Sequence, residues 1–497
     1  MRSRSVRASK RMGGGKGFGG GRGPMVLGAA TAAALLLAAC GSGSSSSNPG
    51  AGAGTSAASG TSAASGTSAA SGTSATSGTS ATSGATPTTG GTSTTVSGGK
   101  TVDITFWTAN DDQAEIKYLD SHFDASHPGI KVKGEYISSS DETTAKEVAA
   151  IKTGTEPNVV IGQDPSQLPF LAESGKVVPL NGKFDSLTNG LYPGIKSALF
   201  YKGQQLGMAL GGVGDFALFY NKKDFAAAGI SGPPSTWTQL ETDAVKLTDA
   251  STHHYGVYIP LGSAEWISYD WEALLWADGG ELMNANDTKV AFDTPAGIEA
   301  LTTWYDLVQK DHAAPTTSYA QAGSFDGANA FAGNDVAMVI DGPWAVADSQ
   351  TAHLSFAVAP FPKGSKSEST NIGIGVASEF DHGTTENNAA TQFIEWLAEP
   401  AQGAYLTETS GGLPSAPAQV SQPLVKKAEK STFAYKVFAG NLKYGRTRPS
   451  IPAYAAISLA LSNEINACLT GKITPAQALA KAAEQGNAAI ASGGSSS

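Results

Sequence analysis

Sixty consecutive residues, Gly41 to Lys100, contain no acidic and no aromatic side chain and consist almost wholly of Ser, Thr, Ala and Gly. Such a stretch has no apolar surface to offset the entropy of ordering it, so it cannot carry a core. A six-residue unit, Thr55-Ser56-Ala57-Ala58-Ser59-Gly60, repeats through to Gly84, with Thr replacing the second Ala in the last two copies. The expectation for 40–100 is a flexible tether. Its r.m.s. reach is about 45 Å, and its contour length is on the order of 200 Å. It separates a leader from a body in the 497-residue chain. Any fold must come from 101 onward, a length that suits two domains rather than one core.

The leader, 1–39, carries Arg2, Arg4, Arg7, Lys10, Arg11, Lys16 and Arg22 and no acid. Its apolar run, 25–39, is only 15 residues long, short for a membrane span. A basic stretch, a short apolar core and small residues before a cut describe a secretory signal. Leu37-Ala38-Ala39-Cys40, followed by Gly41-Ser42, resembles a bacterial lipoprotein box, in which the cysteine becomes the first mature residue and carries lipid. The expectation is a protein anchored through Cys40 to the outer face of the cell membrane. Burial of acyl chain contributes about 0.8 kcal/mol per CH₂, so more than one chain makes the anchor durable.

Without the seven leader bases, 26 bases face 43 acids, a formal charge of −17. That balance argues against nucleic acid as a partner. The second cysteine, Cys468, lies in a late apolar helix pattern and reads as a small buried hydrophobe. His253 and His254 are adjacent and cannot face one metal from a helix or strand, and no metal site or cofactor is expected. There is no Gly-x-Ser-x-Gly, Walker loop or zinc spacing.

The body begins with Val102-Asp103-Ile104-Thr105-Phe106-Trp107, which alternates like a first strand. Asp111 or Asp112 can cap a helix bearing Ile116, Leu119 and Phe123, ended by His127-Pro128-Gly129. A strand over 130–137, a helix over 141–153 and the short apolar strand Asn158-Val159-Val160-Ile161 complete a βαβ lobe. Gln163 and Asp164 then fall just past a strand's C-terminal end, where ligands of open α/β sheets collect. A hairpin over 201–207 leads through Gly211-Gly212-Val213-Gly214 to Phe216–Thr248. Phe216-Ala217-Leu218-Phe219-Tyr220 has the size of one buried strand. A short helix follows, closed by Gly229 and barred from resuming by Pro233-Pro234. Thr236 reads as an N-cap with Gln239 completing a capping box, and Trp237, Leu240, Ala244 and Leu247 share one helical face. Further on, Asp293-Thr294-Pro295 starts a helix with its proline where the missing N–H costs little. Phe356 to Gly364 reads as a strand crossing back, and helices fill most of 454–491.

Tyr220-Asn221-Lys222-Lys223-Asp224, Ala228-Gly229-Ile230 and Pro233-Pro234-Ser235-Thr236-Trp237 resemble, in this order, the family 1 extracellular solute-binding proteins of ABC importers, the sugar-binding group related to maltose-binding protein. So do Ile104-Thr105-Phe106-Trp107, Trp271 followed by Gly279-Gly280, and the run from Gly333 through Ala337-Met338 to Gly342-Pro343-Trp344. Phe361-Pro362-Lys363-Gly364 and Gly411-Gly412-Leu413-Pro414 also agree. The resemblance covers Val102 to Ile490. Ala209 and Ile372-Gly373-Ile374-Gly375 depart from the common pattern. The resemblance implies an α/β, two-lobed periplasmic-binding-protein-like fold of type II. Each lobe would be a β-sheet flanked by helices, with the ligand cleft between them. The expected boundaries are 101–210 with 359–408 for lobe 1, 211–358 with 409–491 for lobe 2, and a frayed 492–497.

The expected function is that of a monomeric receptor, not an enzyme, passing a carbohydrate to the permease of an ABC importer. Sugars present C–H faces to aromatic rings and hydroxyls to planar polar groups. The candidate aromatic residues are Trp107, Trp266, Trp271 and Trp344. The polar candidates are Asp111, Asp141, Gln163, Asp164, Glu265, Asp341 and Arg446, with Gly373 at the departing segment. By resemblance Trp344 and Trp107 lead. Trp237, Trp304 and Trp396 fit core positions on amphipathic helices. Asp164 and Asp341 could instead cap turns, and Arg446 could pair with a surface acid. The alternatives are a polyamine or other cation in the same fold, or a surface glycoside hydrolase using two carboxylates.

Overall fold

The computed structural model describes residues 101–108, 113–137, 140–262, 264–319, 326–431 and 433–493, without the side chains of 140–145, 264, 326 and 431. The leader, Cys40, the tether, Asp111 and the last four residues lie outside the described residues.

The first strands are β1 (Val102–Thr108), β2 (Ile130–Tyr136) and β3 (Val159–Gln163). Then come the hairpin β4 (Phe200–Tyr201) and β5 (Gln204–Gln205), followed by β6 (Met208–Ala209), β7 (Gly214–Asp215) and β8 (Ala217–Asn221). The rest are β9 (Met338–Asp341), β10 (Phe356–Ala359), β11 (Thr370–Gly373), β12 (Val376–Glu379) and β13 (Gly445–Arg446).

One lobe is built on a five-stranded sheet ordered β2-β1-β3-β12-β6. β1 runs parallel to β2 and β3, and β12 runs antiparallel to β3. Alternation drives the packing: Ile104 and Phe106 are buried while Asp103 and Thr105 are exposed. The Phe106 ring lies 5.1 Å from Phe393 on the helix Thr384–Ala398. Gly134 on β2 is what admits that ring, since a Cβ there would sit 2.4 Å from Phe106 Cζ.

The other lobe is built on the antiparallel sheet β10-β8-β9. Both faces of β8 are covered: Leu218, with Phe216 just before the strand, joins one apolar cluster, and Ala217 and Phe219 join another. Trp237, Leu240, Ala244 and Leu247 are all buried, as their spacing requires. Thr236 caps that helix by accepting from Gln239 N–H at 3.2 Å. The reciprocal half differs from expectation, because the Gln239 carboxamide accepts from Ser235 N–H at 3.1 Å instead. Thr294 caps the helix Pro295–Tyr305, and Gly229 is left-handed at φ +65°. Helices Ala264–Ala277 and Tyr454–Leu469 pack side by side, and Pro475–Ala491 packs on the latter. No helix among the described residues is long and apolar enough to cross a membrane.

Three passages of chain run side by side between the sheets. β7 pairs antiparallel with β11, Gly373 opposite Gly214, and Val213 bridges Leu413. Phe356–Ala359 does not itself cross back: it pairs with β8 as an edge of the smaller sheet, Phe356 opposite Asn221. The return passage is β11 followed by β12.

Candidate functional site

β1 and β3 are parallel, so their C-terminal ends share one edge of the larger sheet, and Trp107, Gln163 and Asp164 gather there. Trp107 is half-buried against its own lobe. Gln163 is buried and committed to the wall. Its amide donates to Glu147 on the helix Ser140–Thr153 at 2.5 Å, and its carbonyl accepts from Ser378 on β12 at 2.7 Å. Burial pushes the Glu147 carboxyl well above the usual range. Asp164 accepts from Ser166 N–H at 2.9 Å and so caps the short turn Pro165–Gln167. Asp141 lies in the helix Ser140–Thr153, its side chain outside the described residues.

The smaller sheet contributes aromatic rings. The turn after β9 brings Trp344 to a half-buried position against both apolar clusters. Asp341, fully buried, fixes this turn by accepting from Gly342 N–H and from the Trp344 indole N–H, both at 2.7 Å. Side chains at Gly214 and Gly342 would collide with the indole, a Cβ falling 2.8 and 2.2 Å from its ring carbons. Trp266 stands 5.9 Å from Trp344, 5.8 Å from Tyr269 and 5.5 Å from Phe216. Gly373 completes this wall, since a Cβ there would lie 3.1 Å from the Tyr269 hydroxyl.

Two sequence candidates fall elsewhere. Trp271 has no exposed surface and packs edge-on to Phe292 inside the second lobe. It sits five residues from Trp266 on one helix, about 140° around the axis, so the two indoles cannot face the same cleft. Arg446 is exposed, pairs with Glu281 and lies over Trp276 at 4.7 Å.

The residue that sequence reasoning missed is Arg448. Its side chain is only 8% exposed. It donates to Asp164, on the first lobe, and at 2.5 Å to Glu265, on the helix Ala264–Ala277 of the second. Its guanidinium lies 4.3 Å over the Tyr269 ring. Behind it, the Tyr454 hydroxyl lies 3.0 Å from Glu265 and 3.2 Å from Glu272, and Ser458 donates to Glu265 at 2.5 Å. Burial raises the Glu265 pKa, opposed by Arg448. Burial, then the neighbouring Glu265, pushes the Glu272 carboxyl well above the usual carboxylate range. Burial opposes the charge of Arg448, but Asp164 and Glu265 outweigh it and hold the guanidinium protonated. The seam between the lobes thus gathers half-buried Trp344, buried Trp266 and Tyr269, and the fixed, planar groups of Asp164, Glu265 and Arg448. That arrangement suits a polar, ring-bearing guest.

The profile of the family described as bacterial extracellular solute-binding protein matches residues 107–404. This chain belongs to that family. A solved solute-binding structure similar to it is the cyclic α-maltosyl-1,6-maltose binding protein of Arthrobacter globiformis, 25% identical with TM-score 0.67, covering 79% of this chain and all of that one. Another is a Thermotoga lettingae solute-binding protein of an ABC transporter bound with α-D-tagatose, 25% identical with TM-score 0.69, covering 78% and all of that chain. The sn-glycerol-3-phosphate-binding periplasmic protein of Pectobacterium atrosepticum is 23% identical over 426 residues, 78% of this chain and 91% of that protein. The solute-binding fold is the two-lobed, type II arrangement described above.

Proposed function

We propose that this solute-binding protein holds a carbohydrate between its lobes and delivers it to the permease of an ABC importer. The observation that carries the reading is the half-buried Trp344 at the seam, its edge fixed by Asp341 and its neighbours Trp266 and Tyr269. A ring locked in this way presents its face to a sugar C–H face at little entropic cost. Relatives that bind maltosyl sugars and tagatose support the same ligand class. We take Trp107, Asp164, Trp266, Asp341, Trp344, Gly373 and Arg448 as the site and place Trp271 outside it. We keep the division into 101–210 with 359–408 and 211–358 with 409–491; β6 and β12 in the larger sheet support it, whereas Ala359 pairs with β8, Lys363 bridges Thr236 and β11 pairs with β7 and β13. The lipid on Cys40 and the tether would keep the receptor near its permease while letting it sample the surrounding space.

Calorimetric titration of mono- and oligosaccharides should find a binder, and Trp344→Ala should weaken it by more than tenfold, as expected for a buried aromatic anchor. Full affinity in that variant would remove Trp344 from the site, and no binder across the panel would sink the carbohydrate reading. Carboxylates outnumbering arginine at the seam favour a cation as second reading, and its affinity would fall steeply with added salt.

A further inference from the structure

The Asp164–Arg448–Glu265 bridge does more than fill the seam. Asp164 belongs to the end of β3 in the first lobe, and Glu265 to a helix of the second. Their sequence separations from Arg448, 284 and 183 residues, show that the arginine joins parts of the chain brought together only by the fold. Its cation is therefore shared between two carboxylates, with the Glu272 carboxyl behind them and Asp341 buried on the aromatic side. The helix Tyr454–Leu469, which follows Arg448, also touches the turn Pro165–Gln167 capped by Asp164. Among the described ion pairs no other basic side chain is this sheltered; His254 is 17% exposed, and Lys183, which pairs with Glu379, is 29% exposed.

An anionic ligand entering here needs an uncommitted cation, and a buried anion left unpaired is heavily penalised. Among the described residues the one buried guanidinium, that of Arg448, already carries two negative partners. We propose that Arg448 is the specificity-determining residue of the cleft: it straps one lobe to the other through Asp164 and Glu265, and so admits uncharged saccharides while turning away phosphorylated ones. This rests on the carbohydrate reading above only for the ligand half of the statement. The strap itself involves only this chain's own residues.

The test uses the mature protein with Asp164→Asn and Glu265→Gln variants. Asparagine keeps the acceptor that caps Pro165–Gln167, so the local turn survives while the interlobe charge is lost. Without ligand, Asp164→Asn should raise the mean distance between labels placed on the two lobes and the radius of gyration in solution scattering. Unchanged separation would overturn the strap, whether or not any sugar binds. For the ligand half, the probes are maltose and maltotriose against glucose 6-phosphate and sn-glycerol 3-phosphate. The wild-type protein should prefer the neutral probes, and Asp164→Asn with Glu265→Gln should improve affinity for the phosphorylated ones at least tenfold by releasing Arg448. Tighter binding of a phosphorylated probe by the wild-type protein would overturn the specificity role. Failure of every saccharide would instead sink the carbohydrate reading and leave the label distances to decide the strap. If Asp164→Asn fails to fold, Glu265→Gln alone carries the same comparisons.

Discussion

Asp215 shows how a single buried group can govern stability. It lies on β7, one of the crossing strands, 1% exposed, and neither carboxyl oxygen has a hydrogen-bond partner. Burial pushes its pKa well above the usual range, so the folded state holds this proton more tightly than the unfolded state does. As pH rises past about 4, the unfolded chain gains by ionising and the folded chain does not, and the contribution to stability declines up to the folded pKa. Asp215→Asn should therefore raise the melting temperature at pH 7 and bring no such gain at pH 3.5, a comparison that calorimetry makes directly. Equal effects at both values would mean the carboxyl is paired. At this scale the sequence was only partly informative. It drew attention to Trp344, Asp164 and Asp341 because loop positions and residue types are local properties. It chose Arg446 over Arg448 because the partners that bury an arginine lie far away in the chain.

At the scale of elements, punctuation made most boundaries legible. Pro295 at the first helical position and Thr294 before it start their helix where the residues say it should start. The Thr294 hydroxyl accepts from Gly297 N–H at 3.3 Å, and Thr294→Ala should cost about 1 kcal/mol in chemical denaturation. A Thr294→Ser variant should recover most of it; if it does not, the hydroxyl is not the source. The helix Ala264–Ala277 was harder to read. It is apolar around most of its circumference, with Ile267, Trp271, Leu274 and Leu275 in the core and Glu265, Ser268 and Glu272 against Tyr454 and Ser458. A buried polar ladder of this kind leaves no amphipathic signature, so periodicity could not say which indole met the cleft. Phe356–Ala359 was read as a crossing strand for a related reason. A short apolar strand carries no mark of whether it ends one sheet or begins the passage to the next.

At the scale of the whole molecule, the two-lobed plan was legible because it depends on the order of many motifs over a long stretch, and chance disturbs order less than it disturbs any single match. The relation of the lobes across the seam was not, since nothing local encodes the meeting of Asp164, Arg448 and Glu265. The proposed function requires lobe motion about the crossing strands, a motion of the hinge class. Ligand saturation should lower the radius of gyration of the wild-type protein and change that of Trp344→Ala little at the same concentration, as measured by solution scattering. Identical compaction in both would show that closure does not pass through the indole. The three crossings, paired as β7 with β11 and Val213 with Leu413, act like a gate hung on several pins in one line. Such a gate swings but resists shear and twist. Displacement should therefore grow with distance from the pins, and whatever reads the protein's state from outside will read it best at the far rim.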